Sequence, residues 1–203
     1  LHLWAFLASL PAGVVLLGAT TGAPARAGAG VFAGSLAAMF ATSATYHRAR
    51  GQLSRALLRR ADHAVIYLLI AGTYTPVCLI GLPPAVGVPL LVSVWVVAAV
   101  GIGCKLLGGP RLMRGSSVLY IVVGWAGVVA LPWLVGSFPP AALALLVAGG
   151  ALYTVGVVIL YRRRPDPLPS VFGYHEVWHA LTVVAAAAHF AMVWLVASGP
   201  VGA

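Results

Sequence analysis

Apolar residues run along this chain in long, nearly unbroken blocks, and polar residues fall between them. Seven blocks approach or reach the roughly 20 residues that a helix needs to cross the hydrocarbon core of a bilayer. They cover roughly 1–19, 29–46, 63–81, 85–104, 116–135, 140–160 and 173–197. None alternates polar and apolar residues as a barrel strand would. Between them lie short segments rich in Gly and Pro: "TGAPARAG", "GLPP", "GGPRLMRGS", "GSFPP" and "RRRPDPLPS". Gly and Pro punctuate helices, so each segment reads as a connection. The pattern predicts an all-α integral membrane protein, a seven-transmembrane helix bundle that forms a single domain over 1–203. No second domain, low-complexity tract or internal repeat interrupts it.

Composition agrees with this pattern. The chain is 62% hydrophobic and 7% charged, with a mean hydropathy of +1.03. A soluble domain of this length needs far more polar surface. The net charge of +9 raises the question of nucleic acid, and the placement of the charges answers it. Every Lys and Arg except Arg26 belongs to one of three connections. Arg48, Arg50, Arg55, Arg59 and Arg60 are in the second, Lys105, Arg111 and Arg114 in the fourth, and Arg162, Arg163 and Arg164 in the sixth. Short loops rich in Lys and Arg stay cytoplasmic. The expected orientation therefore has the N-terminus cytoplasmic and the C-terminus outside. The charge reads as a topology signal with some attraction to anionic headgroups, and no nucleic acid partner is expected. Protein partners leave no signature in the sequence. Cys78 and Cys104 both lie in apolar stretches, which is neither a disulfide framework nor a Cys-x-x-Cys metal site. The first apolar block shows no basic leader and is read as a span rather than a signal peptide. Because Leu1 already lies inside that block, the natural N-terminus is expected upstream.

Ionisable groups inside a membrane are costly, roughly 2.5–3.5 kcal/mol at a helix centre on insertion scales. Each one needs a reason. His47 ends the second span, Asp62 opens the third, and His175 and His179 sit in the first turns of the seventh. The orientation read from Lys and Arg puts all four at the same, cytoplasmic depth. His175 and His179 are four residues apart and share a helix face, so they can hold one ion. Ser43 and His47 have the same spacing. Zinc accepts imidazole nitrogen, and three histidines leave a fourth position for water, the mark of a catalytic site. A bound Zn²⁺ lowers the pKa of its water from about 15.7 to near 7. Asp62 would orient that water or take its proton, and Ser43 would hydrogen-bond to the water, to Asp62 or to a substrate carbonyl. Simpler roles compete at each position: a helix N-cap for Asp62, a packing hydroxyl for Ser43, a headgroup contact for His47. Cu, Fe and Ni accept imidazole as well.

The remaining polar residues read as structural. His63 is expected to face headgroups or a neighbouring loop. His189, about 15 Å deeper than His179 at helical rise, is expected to make an interhelical hydrogen bond. Thr73 and Thr75 flank a kink at Pro76, where their hydroxyls would satisfy freed backbone groups. His2 lies too close to the start of the sequence to be assigned.

His175–His179 also spells H-E-x-x-H, the two-histidine zinc signature of metalloproteases, whose Glu is the general base. Intramembrane zinc proteases of the site-2 type carry it in a membrane helix but take an Asp ligand from a later span. Here no Asp or Glu follows His179. The third ligand must come from upstream, where His47 has the right depth. Glu176 stands about 100° around the helix from His175. It is read as a residue that supports the ligands from behind or packs at an interface, not as a catalytic base. The motif therefore points to zinc without pointing to a protease.

Three blocks carry a wider resemblance: "SATYHR" (43–48), "ADHAVIYLLIAGTYTP" (61–76) and "RPDPLPSVFGYHEVWH" (164–179). Together they resemble the hemolysin III family of the PAQR superfamily, which includes the adiponectin and progestin receptors. The seven-span layout extends the resemblance over nearly the whole chain. The resemblance implies a Zn²⁺ ion near the cytoplasmic face, with His47, His175 and His179 as ligands and Asp62 holding the ion's water, beside Ser43. It also implies a multi-pass protein of a bacterial plasma membrane. The superfamily looks like the alkaline ceramidases, which implies hydrolysis of a lipid amide or ester bond, with a membrane lipid as substrate or ligand. Two other readings follow from the same family: a receptor or membrane-state sensor with structural zinc, and a cytolytic protein.

Overall fold

The computed structural model describes residues 1–199, and among them it is entirely helical apart from short connections. Helix α1 spans His2–Ala19, α2 Ala23–Arg48, α3 Gln52–Gly81 and α4 Pro84–Leu107. The fifth span is broken into α5 (Pro110–Gly115), α6 (Val118–Trp125), a 3-10 turn over Ala126–Ala130 and α7 (Leu131–Ser137). Helices α8 (Pro140–Arg162) and α9 (Tyr174–Ala197) complete seven crossings long and apolar enough for a bilayer. In hydrocarbon every backbone N–H and C=O must be satisfied internally, and a helix does this within itself. Pro at the first turn starts α4, α5 and α8, where its missing N–H costs nothing.

The helices overrun the apolar blocks at their polar ends. Helix α3 begins at Gln52, so Arg55, Arg59 and Arg60 are helical and the second connection shrinks to 49–51. Asp62 therefore lies well inside α3 and is not its N-cap. Hydropathy marks only the lipid-immersed stretch, whereas a helix continues as long as its own hydrogen bonds are made.

Helix α3 is the centre of the bundle. It packs between α2 and α4 and also touches α6, α7 and α9. Close approach needs small residues, the main device of helix association in lipid. A Cβ on Gly72 would lie 2.0 Å from Ser35 Oγ, and one on Gly28 would lie 2.7 Å from Pro76 Cα. These two contacts lock α2 against α3. Thr73 and Thr75 donate to Leu69 O at 2.9 Å and Ala71 O at 2.8 Å. Neither reaches the carbonyl of Gly72, which loses its partner at Pro76, because a Thr hydroxyl folds back onto its own i−4 carbonyl. Trp95 instead uses the Thr75 hydroxyl as an acceptor, at 3.2 Å.

The break in the fifth span has a local partner. Tyr74 donates to Val123 O at 2.8 Å and accepts from the N–H of Gly127 at 2.5 Å. One phenol thus bonds to a carbonyl before the irregular turn and to an N–H within it. Tyr67 donates similarly to Ser116 O. Outside this packed centre, Trp4, Val14, Val129 and Val135 stand exposed, as lipid-facing side chains do.

Lys105 is not a loop charge. It lies in the last turn of α4, fully buried, and donates to Met113 O at 2.5 Å and Ser117 Oγ at 2.7 Å. Its ammonium sits 4.9 Å from the centre of the Tyr120 ring. Arg60 reaches across from α3 and donates to Lys105 O, Leu106 O and Gly108 O at 3.2, 3.0 and 2.9 Å. It caps carbonyls that the end of α4 leaves without partners.

Candidate metal centre

The fold brings the end of α2 to the start of α9. His47 lies in the last turn of α2, and His175 and His179 in the first turns of α9. One ring nitrogen from each falls within 4.8 Å of the other two. The Nε2 atoms of His175 and His179 are 2.9 Å apart. Ring centroids stand 4.9 Å apart for His47 and His179, and 5.3 Å for His47 and His175, with the rings steeply inclined. Exposure falls from His47, which is exposed, through His175 to His179, which is buried. The group borders a cavity of about 280 Å³ that His2, Arg48 and Glu176 also line.

This donor set fits a metal ion. In a tetrahedral shell with zinc–nitrogen bonds of 2.0–2.1 Å, neighbouring nitrogens stand about 3.3 Å apart. The His175–His179 separation is within a few tenths of an ångström of that. Three imidazoles suit Zn, Cu, Fe or Ni rather than Mg or Ca. The cavity leaves room beside them for a further ligand.

Ser43 is buried on α2, one turn before His47. It neighbours the half-buried Asp62 of α3, which also lies within electrostatic reach of His175. Neither belongs to the three-histidine group. Glu176 has a structural partner: its Oε2 accepts from the N–H of Gly173, the N-cap residue of α9, at 3.0 Å. That bond satisfies an N–H at the start of the helix and places a carboxylate at its positive end. The Glu of H-E-x-x-H thus serves its own helix.

Of the histidines expected to be structural, His189 has the expected interhelical partner, and His63 is held through its backbone. His189 faces α8, with Nε2 3.2 Å from Leu146 O. His63 is half-buried, and its carbonyl accepts from the Tyr120 hydroxyl at 2.7 Å. His2 is the residue that sequence reasoning left aside. It is buried, and its Nε2 lies 2.8 Å from His179 Nδ1. The sequence carried one usable signal, a histidine at the start of a span, the end of that span that shares the depth of the cluster.

Comparison with known proteins extends these observations. The family model described as "Haemolysin-III related" matches residues 1–190. A protein named Hemolysin-3 homolog from Bacillus subtilis (strain 168) is 35% identical over 160 residues, covering 79% of this chain and 72% of that protein. Hemolysin-3 from Bacillus cereus is 38% identical over 130 residues, covering 64% of this chain and 56% of that protein. So the chain spans little more than half the length of the second.

Proposed function

The chain belongs to the haemolysin-III related family of multi-pass integral membrane proteins, and from that premise we propose that it is a zinc-dependent hydrolase of lipid amide or ester bonds. One observation carries the reading: three imidazoles from two helix ends converge on a cavity at the end of the bundle that bears the basic connections. His47, His175 and His179 would hold the ion. When bound, zinc supplies Lewis acidity toward a carbonyl oxygen and makes a water more acidic. Asp62, which stands near the group without belonging to it, would accept a proton from a water at the site. Ser43, the neighbour of Asp62, would hydrogen-bond to its carboxylate. Arg48, at the cavity wall, attracts an anionic headgroup to the opening. The bundle buries the inner side of the centre and excludes bulk water there, which strengthens each of these interactions.

The test is metal content by elemental mass spectrometry on purified protein, together with turnover of a broad lipid amide and ester panel. We expect about one zinc per chain in wild type, lost in His47→Ala and His179→Ala, and turnover that disappears with it. A zinc-loaded wild type that cleaves nothing on the panel would remove the hydrolase reading and favour zinc as a structural staple between α2 and α9. A cytolytic reading, which the names of the Bacillus relatives bring to mind, predicts ion flux through liposomes. Against it, among the described residues the deeper buried Thr73, Thr75 and His189 each turn to a helix carbonyl.

A further inference from the structure

Helix α1 contributes nothing to the three-histidine group, yet it inserts a fourth imidazole behind it. His2 is 7% exposed and wedged between two rings. Its centroid lies 4.0 Å from that of His179, nearly perpendicular, and 5.3 Å from that of Phe40 on α2. Its Nε2 meets the Nδ1 of His179 at 2.8 Å, while the Nε2 of His179 faces His175 at 2.9 Å. So His2 touches the nitrogen on the far side of the His179 ring and is not placed to share an ion with it. Among the described residues, the other nitrogen of His2 is buried without a partner. The contact with His179 is thus the one polar interaction that orients the His2 ring.

We infer that His2 is a positioning residue, which accepts a hydrogen bond from the Nδ1–H of His179 and so presents the His179 Nε2 lone pair to the metal. This rests on the metal reading above. The chemistry follows from the imidazole itself. A neutral ring has one N–H and one lone pair. For His179 to offer Nε2 to a cation, its proton must reside on Nδ1. A buried N–H needs an acceptor, and His2 Nε2 is the acceptor that the fold supplies. Metal-binding histidines usually donate this outer N–H to a carboxylate, a carbonyl or water. Here the acceptor is an imidazole from another span, so the packing of α1 controls the orientation of a ligand on α9. The bond leaves the proton of His2 on Nδ1, which is buried without a partner among the described residues; the tautomers of the pair are set at His179, whose Nε2 lone pair the ion would take.

The experiment uses the full chain and reads zinc affinity by chelator competition in wild type, His2→Phe and His2→Gln. Phe keeps the ring volume and removes the acceptor, and Gln restores an acceptor oxygen near the position of Nε2. We expect His2→Phe to weaken zinc binding about 10–100-fold, and His2→Gln to recover most of the loss. Equal weakening in both variants would mean that an acceptor at this position does not support zinc binding and would overturn the inference. So would unchanged affinity in a folded His2→Phe. A second measurement does not depend on any variant folding. In zinc-loaded wild type labelled with ¹⁵N-histidine, magnetic resonance should show nitrogen–nitrogen coupling across the His179–His2 hydrogen bond. A His179 protonated at Nε2, or assigned resonances without that coupling, would overturn the proposal. A wild type that binds no zinc would overturn the metal reading and this role together. A wild type that binds zinc regardless of His2 would overturn this role alone.

Discussion

Two polar regions are built into this apolar bundle, and they solve the cost of burial in opposite ways. Around Lys105 the cationic groups point at acceptors. The ammonium meets a carbonyl, a hydroxyl and the face of an aromatic ring, and Arg60 binds three carbonyls at the end of α4. Around His179 the partners are other imidazoles: His175 on one nitrogen, His2 on the other, and His47 close by. Nitrogen faces nitrogen there, with no carboxylate or carbonyl between them. The first region is complete as it stands. The second brings one ring nitrogen from each of three histidines within 4.8 Å of the other two, an arrangement that a cation would complete. Burial alone does not separate the two, because His189 on the same helix is as buried as His179 and simply faces Leu146 O. Convergence of donors distinguishes a site from a structural polar residue.

The contrast can be broken experimentally, and the largest effect is expected at the convergent region. His179→Ala should abolish stoichiometric zinc, whereas His189→Ala should retain it. Elemental mass spectrometry of the two purified variants decides this, and equal zinc in both would erase the distinction. Next in size is Asp62→Asn. It should leave zinc content and fold intact while lowering lipid turnover about 10²–10⁴-fold, the usual contribution of a general base. A loss of melting temperature as large as that of the histidine variants, with turnover per folded molecule unchanged, would assign Asp62 to structure.

Smaller effects belong to the region that is already complete. Arg60→Ala removes the cap on α4 and should destabilise the protein by about 1.5–3 kcal/mol, the range for hydrogen bonds to a charged group. Thermal or chemical denaturation in detergent reads the shift, and zinc content should not change. The smallest effect is expected from Glu176→Gln. An amide oxygen can still accept from Gly173, so the loss should stay below about 1 kcal/mol and turnover should persist. If Glu176→Gln instead eliminated turnover with zinc still bound, Glu176 would be the general base of a protease-like site.

Much of this architecture was legible in the residues. The apolar blocks placed all seven spans, and H-x-x-x-H marked a pair of nitrogens on one helix face. The basic connections showed which helix ends share a depth, and so brought His47 toward His175 and His179. The helix limits were less legible. Hydropathy could not see that Arg55, Arg59 and Arg60 continue α3, because the charge that ends a lipid-facing stretch does not end a helix. Glu176 showed the same limitation in reverse. Its letters matched a catalytic motif, but its carboxylate closes on Gly173, a bond that depends on where the chain enters α9.

The sequence by itself determined the number of crossings, the end of the bundle that carries the charge and three of the four clustered imidazoles. These are one-dimensional properties: a bilayer has a fixed thickness, and a helix has a fixed rise and period. Only the tertiary structure decided that His2 stands behind His179, that Lys105 turns inward and that Asp62 and Ser43 are neighbours. Those outcomes depend on how far each helix is rotated and how closely it approaches the next. Small residues such as Gly28 and Gly72 set that approach, through contacts between residues remote in the chain.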